Sequence, residues 1–400
     1  PAAEDEAGRT EYTRELLSRF AFRAFRRPID APTLERLVAL AREVDRSPDR
    51  SFEQSIAQAI TAILASPRFL FRFEDSLTGR DDSRYPLIDE FALANRLSYF
   101  LWSTMPDDAL LDLAERGELR ANLDGQLRRM LVDGRSDRPI GNFVGQWLQT
   151  RDVEGASIDP LAALGHRKEY DELRELFFRS GRFRSREPQP DEPPEITRAR
   201  DRMRDLRAIR ELWNQDLRRD MRRETEQFVG YVIKENRPLT DLLDCDYSFL
   251  NERLAKHYGI DGVTGDELRR VDLPDGSHRG GLLTQGTFLV VTSNPSRTSP
   301  VKRGLFILDN ILGTPAPPAP GAVPELEQTQ EQIADQEPTL REVLELHRRE
   351  PLCKSCHERF DPLGLALENF NALAMWRETE AGRPIDPSGQ LITGEAFSSL

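Results

Sequence analysis

Cysteine is scarce in this chain: three residues in 400, at positions 245, 353 and 356. That number rules out a structural disulfide framework and leaves at least one thiol unpaired. Positive charge is in deficit, with a formal net charge of −13, which argues against nucleic acid or an anionic membrane as the main partner. No apolar run reaches the roughly 18 residues that a membrane-spanning helix needs. The opening Pro1-Ala2-Ala3-Glu4-Asp5-Glu6 has neither the basic nor the apolar region of a secretory signal. Through residues 87–148 there is no nucleophile–base spacing and no phosphate-binding glycine loop. Strand-like patterning is equally thin, with one convincing apolar β-type run at 288–293.

What the chain does contain is helical periodicity under a charged surface. Hydrophobic residues make up 38% and charged residues 31%, enough for two to four domains with real cores. Apolar spacing predicts helices over 11–25, 34–44 and 52–64, then 88–101, 109–116 and 123–131. One long charged helix is expected from 196 to about 235, its polar side a solvated face. The Arg/Phe cluster at 68–73 is read as core packing with arginine heads reaching water, in preference to a base-stacking surface. Thr314-Pro315-Ala316-Pro317-Pro318-Ala319-Pro320-Gly321 is a semi-rigid linker that continues through acidic residues to about 337. Thr339 then caps a helix over 340–348. The expected layout is an N-terminal helical domain (1–80), a helical domain (81–265) with a charged, proline-containing insertion around 180–225, a small mixed segment (266–313), the linker (314–338) and a C-terminal module (339–400). The fold class is mainly α, as multi-helix bundles with a small mixed α/β segment.

The stretch with chemistry in it is Cys353-Lys354-Ser355-Cys356-His357. C-x-x-C-H is the signature of covalent c-type haem attachment. One helical turn presents both thiols to the porphyrin vinyl groups, and the next residue's imidazole faces the iron from the same side. C-x-x-C alone would also serve a redox dithiol or half a zinc site. Zinc needs a second ligand pair, however, and only Cys245, His347 and isolated histidines are left. A thioredoxin-like dithiol would follow a strand, whereas a helical segment precedes this one. His357 is therefore the expected proximal iron ligand, with Cys353 and Cys356 as thioether anchors. The opposite iron position has several candidates: Met375, His347, Met105, His278, or no protein ligand. Arg297 and Arg303, in the stiff hydroxyl-rich loop 294–304, are candidate partners for the haem propionates at a helix N-terminus; the alternative is a rigid interdomain loop. Asp361-Pro362 is read as a turn, followed by a short apolar helix laying Leu363, Leu365, Leu367 and Phe370 near the porphyrin, or in ordinary core.

Four blocks resemble a known family: residues 22–28 (Phe-Arg-Ala-Phe-Arg-Arg-Pro), 96–107 (including Arg96-Leu97-Ser98-Tyr99-Phe100-Leu101-Trp102), 292–304 and 353–377. Together they are similar to the multidomain, planctomycete-type c-type cytochrome proteins whose parts form a series of domains of unknown function. The resemblance implies an exported haem c protein. It carries over Cys353, Cys356, His357, Asp361, Pro362, Gly364, Glu368 and Asn369, and it favours His347 over Met375 as a second ligand. Phe360 stands where the family commonly has methionine.

The expectation is thus a periplasmic or cell-surface protein with covalent haem c, passing single electrons to a redox partner such as another cytochrome. Haem c is attached outside the cytoplasm, so an export signal is expected to have been removed or to lie upstream. The chain is read as a piece of something longer. Two alternatives stand beside this reading: a peroxidase- or oxidase-like haem enzyme with an open distal site, and a non-catalytic cell-surface scaffold with an appended haem module. No catalytic residue is assigned.

Overall fold

The computed structural model describes residues 6–74, 86–180, 193–317, 338–349 and 351–399. The fold is mainly α; among the described residues the only sheets are three antiparallel two-stranded pairs. No described helix is long and apolar enough to cross a membrane. The chain divides into two compact units, Pro1–Ile140 and Gly141–Leu400, so the division falls inside the 81–265 segment expected to be one domain. Most of the proline-rich linker, at 318–337, lies outside the described residues, as do Arg182, Arg184, Arg186, Pro188 and Pro190 of the charged insertion.

In the first unit, Glu6–Phe25, Ala31–Asp45 and Phe52–Leu64 bury Leu17, Ala21, Phe25, Val38, Ala59 and Ile63 in one cluster. Local sequence sets their ends. Asp30 accepts the Thr33 N–H at the start of the second helix, and Ser51 and Gln54 form a reciprocal capping box at the third. Arg26, only 5% exposed, donates to the carbonyls of Arg68, Phe69 and Phe71 and so holds the chain that follows the third helix. The aromatic cluster there differs from expectation. Phe69 packs on the core, but Phe71 and Phe73 are more than half exposed, because the capped helix Pro67–Leu70 ends before them. A second cluster gathers Trp102, Leu110, Leu119 and Met130, with the Trp102 indole N–H donating to the Met130 carbonyl.

In the second unit the single long helix expected from 196 is two helices, Pro194–Leu212 and Gln215–Lys234. The break comes where Asn214 turns extended and its side chain accepts the Leu217 N–H, starting a new helix. The strands Tyr247–Leu250 and Arg269–Asp272 pair antiparallel, Tyr247 opposite Asp272. Most of the β-type run 288–293 is helical instead: 288–291 form the end of the helix Gly286–Val291, and 292–293 turn out of it. It is buried on every side, and a short apolar run without alternation does not distinguish a buried strand from a buried helix. Gly286 is required here, since a Cβ would lie 2.5 Å from the Tyr258 hydroxyl that accepts its N–H.

Candidate functional site

Two helices of the second unit carry the motif and its neighbours. Leu340–His347 starts at a capping box in which Thr339 accepts the Glu342 N–H and Glu342 accepts the Thr339 N–H. Its apolar side packs Leu340 and Leu344 against Leu365 and Val301. That packing leaves His347 in the last turn, 7% exposed.

The second helix, Pro351–Leu365, contains the whole motif. Its spacing of three and four residues places Cys353, Cys356, His357, Phe360, Asp361 and Gly364 along one side. Lys354, Ser355, Glu358 and Arg359 are exposed, while both thiols are half-buried and unpaired. Asp361-Pro362 is not a turn. The helix continues through Pro362 for three more residues, and this continuation holds Asp361 one turn beyond His357. Both Asp361 oxygens lie near His357 Nδ1, at 3.0 and 3.1 Å. Asp361 is fully buried, and Arg348 Nε approaches it at 3.6 Å. Leu365, expected near a porphyrin or in ordinary core, lies in the helix–helix core.

The Pro300–Phe306 helix crosses this one at backbone distance. A Cβ at Gly364 would lie 1.9 Å from the Pro300 carbonyl oxygen, and one at Gly304 would lie 1.9 Å from that of Phe360. Two glycines thus permit a contact no larger residue allows, which joins the 300–306 region and the motif helix into one packed body. Arg303, read as a propionate partner, is committed elsewhere. It is fully buried and donates to Glu368 Oε1 at 2.9 Å and to the Leu367 carbonyl at 2.6 Å. Burial lowers its pKa to about 10, against the opposing pull of Glu368. Thr298 and Arg377 complete the hydrogen bonding of Glu368, at 2.6 and 2.9 Å. The anion site expected at this helix N-terminus is likewise used internally, since the Ser299 hydroxyl accepts the Lys302 N–H. Arg297 is half-buried and donates to the Thr298 carbonyl at 3.1 Å.

Of the candidates for a second iron ligand, His347 is the one beside His357. Their ring centroids are 4.9 Å apart with planes inclined at 63°. Burial and the neighbouring His357 both depress the His347 pKa, against the opposing charge of Asp361, so the neutral imidazole that a metal requires is the favoured form. Met375 sits in the loop after the helix, its backbone N–H and carbonyl both bonded to Asn371. His278 is stacked flat on Trp376 at 3.8 Å. Met105 belongs to the first unit.

These donors suit a covalently held haem. Two free thiols and an imidazole share a helix face, and the carboxylate at Nδ1 leaves Nε2 as the lone pair for iron. They suit zinc poorly: among the described residues no three His, Cys, Asp or Glu side chains converge as a metal site.

The Asp361 contact was hidden in the sequence by the Asp-Pro pair, which reads as a turn, although i,i+4 spacing from His357 was its available signal. The Arg303–Glu368–Arg377 network had no local signal, since its partners lie far apart along the chain.

Three family models match, in chain order and without overlap. PSD5, a protein of unknown function (DUF1595), matches residues 12–74. PSD4, a protein of unknown function (DUF1592), matches 88–182 and 194–260. PSCyt3, a protein of unknown function (DUF1588), matches 279–380. The last spans both the Pro300–Phe306 helix and the C-x-x-C-H helix, which the structure packs together. All three belong to the planctomycete cytochrome-type series, so the chain is similar to a multidomain family. Neither the curated proteins nor the solved structures contain a match.

Proposed function

We propose that this chain is an exported c-type haem protein that transfers single electrons. In this reading Cys353 and Cys356 would hold the haem by thioether bonds, and His357, through Nε2, and His347 would be the imidazole donors to its iron. The bound haem supplies a one-electron ferric/ferrous couple. The chain's own residues do the rest: the Pro351–Leu365 helix sets the spacing of the anchors, and Asp361 sets the His357 ring. The redox partner is another electron-carrying protein outside the cytoplasm.

The observation that carries the reading is the shared helix face of Cys353, Cys356 and His357, with the His357 Nδ1 already engaged by Asp361. Buried His347 next to His357 favours a six-coordinate carrier over the open iron of a peroxidase- or oxidase-like enzyme. The test is expression with a cytochrome c maturation system, followed by a pyridine haemochrome spectrum and a redox titration. A carrier gives a haem c spectrum, one reversible one-electron wave and little reaction with cyanide or carbon monoxide. A five-coordinate resting spectrum with peroxide turnover would replace this reading with the enzyme one.

A further inference from the structure

The geometry points to Asp361 as a positioning residue that fixes the ring of His357 and lowers the potential of the metal held there, an inference that rests on the haem reading above. Three features of the contact carry it. Asp361 is fully buried, so water does not compete for its oxygens. Both oxygens lie within hydrogen-bond distance of one nitrogen, His357 Nδ1, at 3.0 and 3.1 Å. The two residues are four apart on one helix, so the backbone holds the pair in register. Arg348, at 3.6 Å, is the cation facing the same carboxylate, and it is too distant to hydrogen-bond in its place.

The consequence is electronic as well as geometric. A carboxylate accepting the Nδ1 proton selects the tautomer with a bare Nε2 and gives the ring partial imidazolate character. The more basic ligand stabilises ferric over ferrous iron, where a neutral carbonyl acceptor would do so far less. Loss of such a partner typically weakens metal affinity by about 10–100-fold. If that loss falls on the ferric state, it corresponds to a rise in potential of roughly 60–120 mV for a one-electron couple.

Two measurements test this, one of them independent of haem. With selective ¹⁵N-histidine labelling, the full chain expressed without haem maturation shows only five histidines, and His357→Asn identifies the signal of interest. Wild type is expected to show the Nδ1–H tautomer at His357, and Asp361→Ala to lose that preference. In the haem-loaded protein, Asp361→Asn keeps an acceptor oxygen but removes the charge. It is expected to raise the potential, with Asp361→Glu restoring part of the shift. An Nε2–H tautomer in wild type overturns the inference whether or not haem attaches. So does a loaded Asp361→Asn protein with unchanged potential, and that result leaves the haem reading intact. Absence of covalent haem alongside the Nδ1–H tautomer instead removes the electron-transfer reading and the effect on potential, leaving only the ring contact.

Discussion

Replacing Gly364 by alanine isolates the contact that builds the site's floor. In a helix interior, alanine is favoured over glycine by about 1 kcal/mol, so without tertiary contacts the substitution would stabilise. The structure reverses the sign. A Cβ at Gly364 would sit 1.9 Å from the Pro300 carbonyl oxygen, and at Gly304 1.9 Å from that of Phe360. Ordinary contact begins at 3.4 Å, so each crossing would have to open by about 1.5 Å (3.4 − 1.9), and no flexible side chain is there to yield. Overpacking costs about 1–3 kcal/mol and sometimes more. Backbone on both sides puts these sites at the upper end, for a net loss of about 2 kcal/mol after the propensity gain. Hydrogen-exchange mass spectrometry suits a chain of two units because it reads opening segment by segment. Gly364→Ala and Gly304→Ala should speed exchange in the 300–306 and 351–365 segments together. Gly125→Ala is the control: that helical residue is exposed with nothing within 4 Å of a Cβ, and its helix should gain up to about 1 kcal/mol. Slower or unchanged exchange in Gly364→Ala would refute the crossing.

Three further outcomes follow from buried groups. Glu368→Gln strips Arg303 of its carboxylate inside the protein and should destabilise the second unit by about 3–5 kcal/mol in urea unfolding; a loss under 1 kcal/mol would contradict the buried pair. Burial raises the Glu224 pKa to about 7 despite hydrogen bonds from Tyr258 and Ser248. The folded state therefore holds that proton more tightly, and stability falls as pH rises from 4.5 to 7, by about 3 kcal/mol. His257 does the reverse. Burial lowers it to about 4 against its bond to the Leu373 carbonyl, so its contribution is present above 6.5 and is lost, by about 3 kcal/mol, as pH falls to 4. The two nearly cancel, so Glu224→Gln should unmask a rise in stability from pH 4 to 7, and a stability–pH difference from wild type that does not change would count against the Glu224 assignment. In haem-loaded protein, His347→Ala should convert a six-coordinate spectrum to one that binds carbon monoxide, whereas Met375→Ala should not; the opposite pattern would move the ligand to Met375.

Much of this was legible where local rules decide. The helix Phe52–Leu64 has the bounds its periodicity predicted, and Thr339 caps Leu340–His347 through the Glu342 spacing written in the sequence. Legibility failed where tertiary context decides. Gly286–Val291 is buried almost all round, so period carried no information. Asn214 is an ordinary polar residue until its capping contact is seen. Arg303 reads as a candidate anion partner in its loop because Glu368, which holds it, lies on a distant segment. At the site, composition and spacing located Cys353, Cys356 and His357. The role of Asp361 depended on Pro362 lying inside the helix, which propensity argues against.

The central claim, covalent haem at Cys353 and Cys356, is tested most directly by intact mass with thiol counting on denatured protein matured by a cytochrome c assembly system. Covalent attachment gives a mass increased by one haem and a single alkylatable thiol, Cys245. An unmodified mass with all three cysteines alkylated would contradict it.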